Sequence, residues 1–310
     1  MEALKTAIFS YGVTRAFRDG STRSERLPLE LIDVDPITAA MRRMVRTLEF
    51  DICEMAFTTY LCARAAGIPI TAIPIFLTRG FWQRAVVYNT SSGIKAPKDL
   101  EGRIIGVNRG YTVTTGLWAR GILQDEYGVD LNKVTWAPTD DEHVTQYKAP
   151  ANVDYANMGK TTTDLLLSGE FPAAVGDMPP SPPETQPLIP DAFEAGAGYY
   201  RRTGVFPLNH TVVIQDSLLE SDPWVAEELF AGIMASRDAY VASLKAKSDP
   251  TPADQMAMRI GEVTGDPFPM GVEANRKTLE TIVRFAAEQN IISKPFAIED
   301  LFAKNTQALS

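Results

Sequence analysis

The sequence predicts an α/β protein of two lobes, on three observations. Short strand-like apolar runs alternate with helix-length segments from Leu4 onward, the pattern of a mainly parallel sheet with helices on both faces. Two strand-like stretches, AVVYN and HTVVI, bracket the middle of the chain, as crossover strands between lobes would. The chain has 310 residues, 45% hydrophobic and 22% charged, enough apolar material for a substantial core. The expected division is 1–88 plus 209–310 for the first lobe and 89–208 for the second, with a ligand cleft between them.

The elements follow in order. LKTAIFS, Leu4 to Ser10, is the first strand, and GVTRAFRDG is the loop after it. PITAAMRRMVRTLEF carries apolar residues at helical spacing, with Arg42, Arg43 and Arg46 as surface residues. FDICEMAFTTYLCARAAG begins as a buried strand, Phe50 to Cys53, and ends as a helix, Tyr60 to Ala66. ITAIPIFL and AVVYNT are two more strands. SGIKAPKDLEG is a polar turn, RIIGV a strand, and TTGLWARGILQDEYGV an amphipathic helix closed by Gly128. KVTWAP is a strand. TTTDLLLSGEF is a helix with Thr161 to Thr163 available as caps, and AAVGD is a short strand. MPPSPPETQPLIPD is an irregular loop rather than a linker, because ordered signals resume after it. NHTVVI is a further strand. The long helix after it takes Asp222 as N-cap and Pro223 as first residue. NRKTLETIVRFAAEQN is a helix near the end.

Several function classes are excluded. A net charge of −9 argues against a broad nucleic-acid surface, although a few converging arginines still bind an anion. The longest apolar runs, such as IPITAIPIF, fall short of the roughly 20 residues a membrane helix needs. The N-terminal stretch lacks the basic and apolar regions of a secretory signal, so a cytoplasmic location without a membrane partner is expected. Cys53 and Cys62 read as buried thiols. ANMGKTTTD has Asp154 where a phosphate loop needs glycine. Gly106, Gly110 and Gly116 lack the spacing of a dinucleotide fingerprint. Neither Gly-x-Ser-x-Gly nor His-Glu-x-x-His occurs, and with two histidines no metal site is expected.

The remaining chemistry gathers near strand ends. Glu54 ends a strand, and Thr58 and Thr59 precede a helix whose N–H groups favour an anion. A carboxylate there is costly unless it carries a proton, which would make Glu54 an acid; otherwise it pairs with Arg15 or Arg79. Arg15 follows the first strand, and Arg79 and Arg84 precede AVVYN; a guanidinium grips a carboxylate through two hydrogen bonds. In GVNRGYTVTTGLW, Tyr111, Thr114 and Thr115 suit an anionic oxygen or serve as ordinary loop and cap residues. His210 sits at the mouth of a crossover strand, and His143 lies in an acidic turn; either can move a proton. Phe81, Trp82 and Tyr111 stack on a ligand ring or fill the core.

Four stretches together, FDICEMAFTTYLCARAAG, IPIFLTRGFWQRAVVYNTSSGIKAPKDLEG, GLWARGILQDEYGV and NRKTLETIVRFAAEQN, resemble the 4,5-dihydroxyphthalate decarboxylase family from about Lys5 to Phe302. The resemblance implies a two-lobed type II periplasmic-binding-protein-like fold. It implies a cofactor-independent decarboxylase of an aromatic, hydroxyphthalate-like acid, releasing CO₂ by protonation of the ring carbon. Arg15, Thr58 and Thr59 would anchor a retained carboxylate, and His210, Glu54 or His143 would handle protons. The loop YGVTRAFRDG departs from the family's Tyr-Asp-Arg-Thr-type pattern, with Thr14 and Arg15 in inverted order. The other expectation is a solute-binding protein that captures a small carboxylate for an ABC-type transporter or sensor. The partner in both is a small-molecule carboxylate; a homo-oligomer stays open.

Overall fold

In the computed structural model, residues 2–310 are described, and the chain divides into two compact units. The first comprises residues up to Gly80 with Leu208–Glu280 and Phe296–Ser310; the second comprises Phe81–Pro207 and Thr281–Pro295.

The first unit holds β1 (Leu4–Ala7), α1 (Arg15–Arg18), β2 (Leu29–Leu31), α2 (Ile37–Thr47), β3 (Ile52–Ala56), α3 (Phe57–Ala65) and β4 (Ile70–Arg79). The second holds β5 (Val86–Asn89), β6 (Ile104–Val107), α4 (Thr114–Tyr127), β7 (Thr135–Pro138), α5 (Thr162–Leu167), β8 (Ala173–Val175), β9 (Thr185–Pro187) and α6 (Ala192–Thr203). The chain then returns to the first unit with β10 (Leu208–Gln215), α7 (Asp216–Ser221), α8 (Trp224–Leu244) and α9 (Pro252–Thr264), and α10 (Val272–Glu288) ends in the second. No helix among the described residues is long and apolar enough to cross a membrane.

Each unit has a five-stranded sheet, ordered β2-β1-β3-β10-β4 and β7-β6-β8-β5-β9. Both are mixed rather than mainly parallel. In the first, β2, β1 and β3 run parallel and β10 is antiparallel to both β3 and β4. In the second, β5 is antiparallel to β8 and β9. That pairing also moves a boundary. Val86, Val87 and Tyr88 fall in the first lobe by sequence, yet they hydrogen-bond into the second sheet.

Local sequence explains the helices. In α2 the buried residues Ile37, Ala40, Met41, Met44 and Val45 recur at helical spacing, while Arg46 is exposed. Gly128 closes α4 in the left-handed conformation at φ 65°, which costs glycine nothing. Helix α8 starts one residue later than the proline signal suggests, at Trp224, whose indole nitrogen donates to Asp222 at 3.0 Å. Helix α9 opens on a reciprocal cap in which Thr251 accepts from the Asp254 N–H at 3.2 Å.

Tight packing of α4 on the end of α10 gives a stability prediction. A Cβ at Gly121 would lie 2.1 Å from Cδ2 of the fully buried Phe285 ring. Trp118 pins that ring edge-on at a centroid distance of 5.7 Å. Gly121→Ala gains up to about 1 kcal/mol of helix propensity. Overpacking costs about 1–3 kcal/mol or more in a core that cannot move aside. The variant should therefore unfold at lower urea; an unchanged midpoint would contradict this packing.

Candidate functional site

Three side chains from distant parts of the sequence meet at one edge of the first sheet. The parallel strands β1 and β3 end there, and the antiparallel β10 begins there. The register sets Val212 opposite Glu54 and His210 opposite Ala56, so His210 and Glu54 are diagonal neighbours on one sheet face. The loop leaving β1 carries Tyr11 over the same edge. Carboxyl ends of parallel strands are the usual place for a ligand in α/β proteins, because the loops there are free of the sheet's own hydrogen bonding.

Glu54 is fully buried, and three donors converge on it. The Phe9 backbone N–H donates to Oε2 at 2.9 Å, and the Tyr11 hydroxyl donates to Oε1 at 2.7 Å. His210 Nδ1 lies 2.5 Å from the same Oε1. A buried carboxylate is tolerable when its oxygens are saturated in this way. Both Glu54 oxygens thus have partners, and Oε1 lies against His210 Nδ1. With Nδ1–H directed at Glu54, the imidazole presents Nε2, which makes no hydrogen bond among the described residues. The His210 side chain retains 13% exposure, so the ring is sheltered but reachable. Burial, and then the charge of Glu54, hold the Tyr11 phenol well above its ordinary value. Tyr11 therefore stays protonated and donates.

The Tyr11 loop is fixed from two sides. The Thr14 hydroxyl donates to the Phe9 carbonyl at 2.7 Å and accepts from the Tyr11 N–H at 2.8 Å. From behind, the Tyr240 ring lies flat against Gly12: a Cβ there would meet its Cζ at 2.3 Å. The Tyr240 hydroxyl donates to Asp254 at 2.7 Å, and Lys247 and Thr251 hold the same carboxylate. The Lys247 hydrogen bond, followed by those of Tyr240 and Thr251, keeps the Asp254 carboxyl well below the usual range. Phe9 projects outward at 40% exposure, its ring 5.2 Å from that of Tyr11.

The other residues singled out by sequence fare differently. Arg15 is exposed at the start of α1, and its side chain makes no hydrogen bond or ion pair among the described residues. Thr14 is fully buried and shapes the loop, a correction to its reading as a ligand contact. Thr58 and Thr59 lie inside the first turn of α3 rather than before it, both buried. Arg79 donates to the Pro269 carbonyl at 2.9 Å and Asn275 Oδ1 at 3.0 Å, so it braces the start of α10 instead of facing a ligand. Arg84 pairs with Asp177 at 2.6 Å on the surface. Phe81 is core, packed on Phe193 and Phe206 at 5.3 and 5.5 Å. Tyr111, Thr114 and Thr115 are buried in the second unit, Tyr111 with its hydroxyl on the Gln289 carbonyl at 3.2 Å. His143 is buried in the loop after β7 of the same unit, not in an exposed acidic turn. No group of three or more His, Cys, Asp or Glu side chains among the described residues is placed to hold a metal ion.

Tyr11, Phe9, Tyr240 and Asp254 were not singled out by sequence. The available signal for Tyr11 was its place in a short Ser-Tyr-Gly turn right after a strand. For Asp254 it was the Thr-Pro-Ala-Asp capping pattern.

Comparison with known proteins agrees with this architecture. The family model described as NMT1/THI5 like matches residues 32–169. A 4,5-dihydroxyphthalate decarboxylase of Comamonas testosteroni is 31% identical over 255 residues, covering 78% of this chain and 76% of the relative. A protein of the same name from Pseudomonas putida is 30% identical over 211 residues, covering 64% and 81%. Among solved structures, the periplasmic aliphatic sulphonate binding protein SsuA from Escherichia coli aligns at a TM-score of 0.57 and 12% identity, over 99% of both chains. At that identity the likeness is one of fold alone, the α/β fold of periplasmic binding proteins. With two relatives of one name near 30% identity, each covered over three quarters of its length or more, the chain belongs to the 4,5-dihydroxyphthalate decarboxylase family.

Proposed function

We propose that this chain is a carboxy-lyase that removes CO₂ from an aromatic carboxylic acid, a hydroxylated benzene dicarboxylate of the kind its relatives are named for. The observation that carries the proposal is the buried Glu54 carboxylate 2.5 Å from His210 Nδ1, which aims the other ring nitrogen outward as a proton donor. The family membership supplies the reaction type.

The chemistry needs little else. A ring hydroxyl ortho or para to the carboxylate pushes its electron pair toward the carbon bearing that carboxylate. This carbon takes the proton from Nε2 of the doubly protonated His210 ring, which leaves the neutral Nδ1–H tautomer facing Glu54. The bond to the carboxylate then breaks, CO₂ leaves, and the bonding pair returns to the ring and restores aromaticity. One proton enters the ring for each CO₂ released, and His210 recovers a proton from water. Glu54 holds the imidazole in one tautomer and one orientation throughout. Tyr11, kept protonated, holds Glu54 in turn. Exposed Phe9 offers an aromatic surface to the substrate ring, and unpaired Arg15 offers a guanidinium to a carboxylate.

The test is a panel of benzene dicarboxylates with and without ring hydroxyls, incubated with the protein in D₂O. The expected result is CO₂ from a hydroxylated member, with deuterium at the vacated ring carbon. Binding of the panel without any CO₂ would overturn the proposal and leave ligand capture as the role.

A further inference from the structure

In the first sheet β10 lies between β3 and β4, so His210 is flanked on both sides. Glu54 comes from β3. On the other side the register sets Thr78 of β4 directly opposite His210, and residues paired in this way stand on one sheet face. Thr78 reaches that place only because the ladder is broken. Val212 pairs with Ile73, and a regular antiparallel ladder would continue with Ile75 opposite His210. Strand β4 bulges instead, and the residue delivered to His210 lies three positions further on, a hydroxyl in place of an isoleucine.

The bulge is held in place. Pro74 has no N–H to lose from the ladder, and its carbonyl accepts from the Gly271 N–H at 2.8 Å. The Phe76 N–H donates to Met270 Sδ at 3.1 Å, and the Ile73 carbonyl accepts from the Thr211 hydroxyl at 3.0 Å. Arg79, the next residue after Thr78, is fixed by Pro269 and Asn275. Yet the Thr78 hydroxyl oxygen is buried and has no hydrogen-bond partner among the described residues. A buried hydroxyl without a partner destabilises the fold, and valine would fill the same shape without that cost. The residue as a whole stays partly exposed. Rotation about χ1 exchanges hydroxyl and methyl among staggered positions, and so turns the hydroxyl to the open side.

We infer that the Thr78 hydroxyl is a substrate contact, which donates to the carboxylate that leaves as CO₂ and so sets the carbon bearing it against His210. The two nitrogens of an imidazole lie on opposite edges of the ring. With Nδ1 on Glu54, from β3, Nε2 lies toward β4, the strand that carries Thr78. The carbon that takes the proton also bears the departing carboxylate, so a donor beside Nε2 meets that carboxylate first. Arg15 and Phe9 come from the β1 side of the same edge, which leaves them the retained carboxylate and the ring. This inference rests on the decarboxylase reading for the fate of the bound carboxylate, but not for its binding.

The experiment compares Thr78→Val and Thr78→Ser with wild type in three measurements on the full chain. In a thermal melt without ligand, Thr78→Val should unfold at or above the wild-type midpoint, since no hydrogen bond is lost. In calorimetric titration with phthalate, Thr78→Val should bind about ten-fold or more weakly, the usual effect of losing a hydrogen bond to a charged group, and Thr78→Ser should recover most of that loss. On the substrate selected from the benzene dicarboxylate panel, KM should rise by the same factor while kcat stays within about three-fold, because the contact is made before the bond breaks as well as during it. A lower midpoint in Thr78→Val, no phthalate binding by wild type, or equal affinity in Thr78→Val would overturn the inference. A fall in kcat at unchanged KM would overturn it as well, since the hydroxyl would then serve proton transfer. The melt and the phthalate titration are read without turnover, so they decide the matter even where no panel member releases CO₂.

Discussion

Replacing His210 with alanine lowers decarboxylation by about 100- to 10,000-fold, the usual contribution of a positioned proton donor. Substrate affinity changes little, because the carboxylate and ring contacts proposed for Arg15 and Phe9 do not involve the imidazole. The measurement is kcat and KM on whichever hydroxylated dicarboxylate the panel selects. Glu54→Gln is the companion. It keeps the shape of the side chain but replaces one oxygen by a donor, where three donors already converge. One of these contacts becomes donor against donor, His210 loses its fixed tautomer, and kcat falls by at least about ten-fold. A thermal melt separates this from unfolding. Undiminished kcat in His210→Ala removes the histidine from the mechanism.

Gly12→Ala has the second largest expected effect, and it acts without touching any ligand. The added methyl meets three Tyr240 ring atoms at 2.3, 2.4 and 2.6 Å, distances no packed carbon tolerates. The ring cannot retreat freely, since its hydroxyl is held by Asp254, itself held by Lys247 and Thr251. The loop must therefore lift, and Tyr11, the next residue back, loses its 2.7 Å hydrogen bond to Glu54. A displacement of about 1 Å at a reacting group costs on the order of 100-fold in rate. Tyr240→Ala in the same background removes the obstruction and should recover part of that loss, a non-additivity that marks direct contact. Wild-type kcat in Gly12→Ala would show that the loop's position does not matter to the reaction.

The parts of this fold legible in the sequence are those written locally. Helix α2 has its apolar stripe, α4 its terminal glycine, and β3, β4 and β7 their apolar runs. The unit boundary was not local. Whether Val86 to Asn89 belong with β4 or with β8 and β9 depends on strand pairing across about 90 residues. The site shows the same division. Glu54 and His210 each stand out singly, one as a carboxylate in an apolar run and the other as one of two histidines. Their union does not, because it needs β10 inserted antiparallel beside β3 across 156 residues. The partners of Glu54 are hidden for the same reason: all three of its donors come from other segments. Arg79 and Phe81 mislead in the opposite direction. Their types suit ligand binding, but tertiary neighbours claim them, Asn275 for the one and Phe193 with Phe206 for the other.

A crystal structure of the protein with phthalate, which carries two carboxylates but no activating hydroxyl, tests the central claim most directly. If His210 supplies the proton, its Nε2 lies within about 3.5 Å of the ring carbon bearing one carboxylate, as reacting atoms must. Phthalate seated away from the β3–β10 edge, with Nε2 facing only solvent, would contradict it.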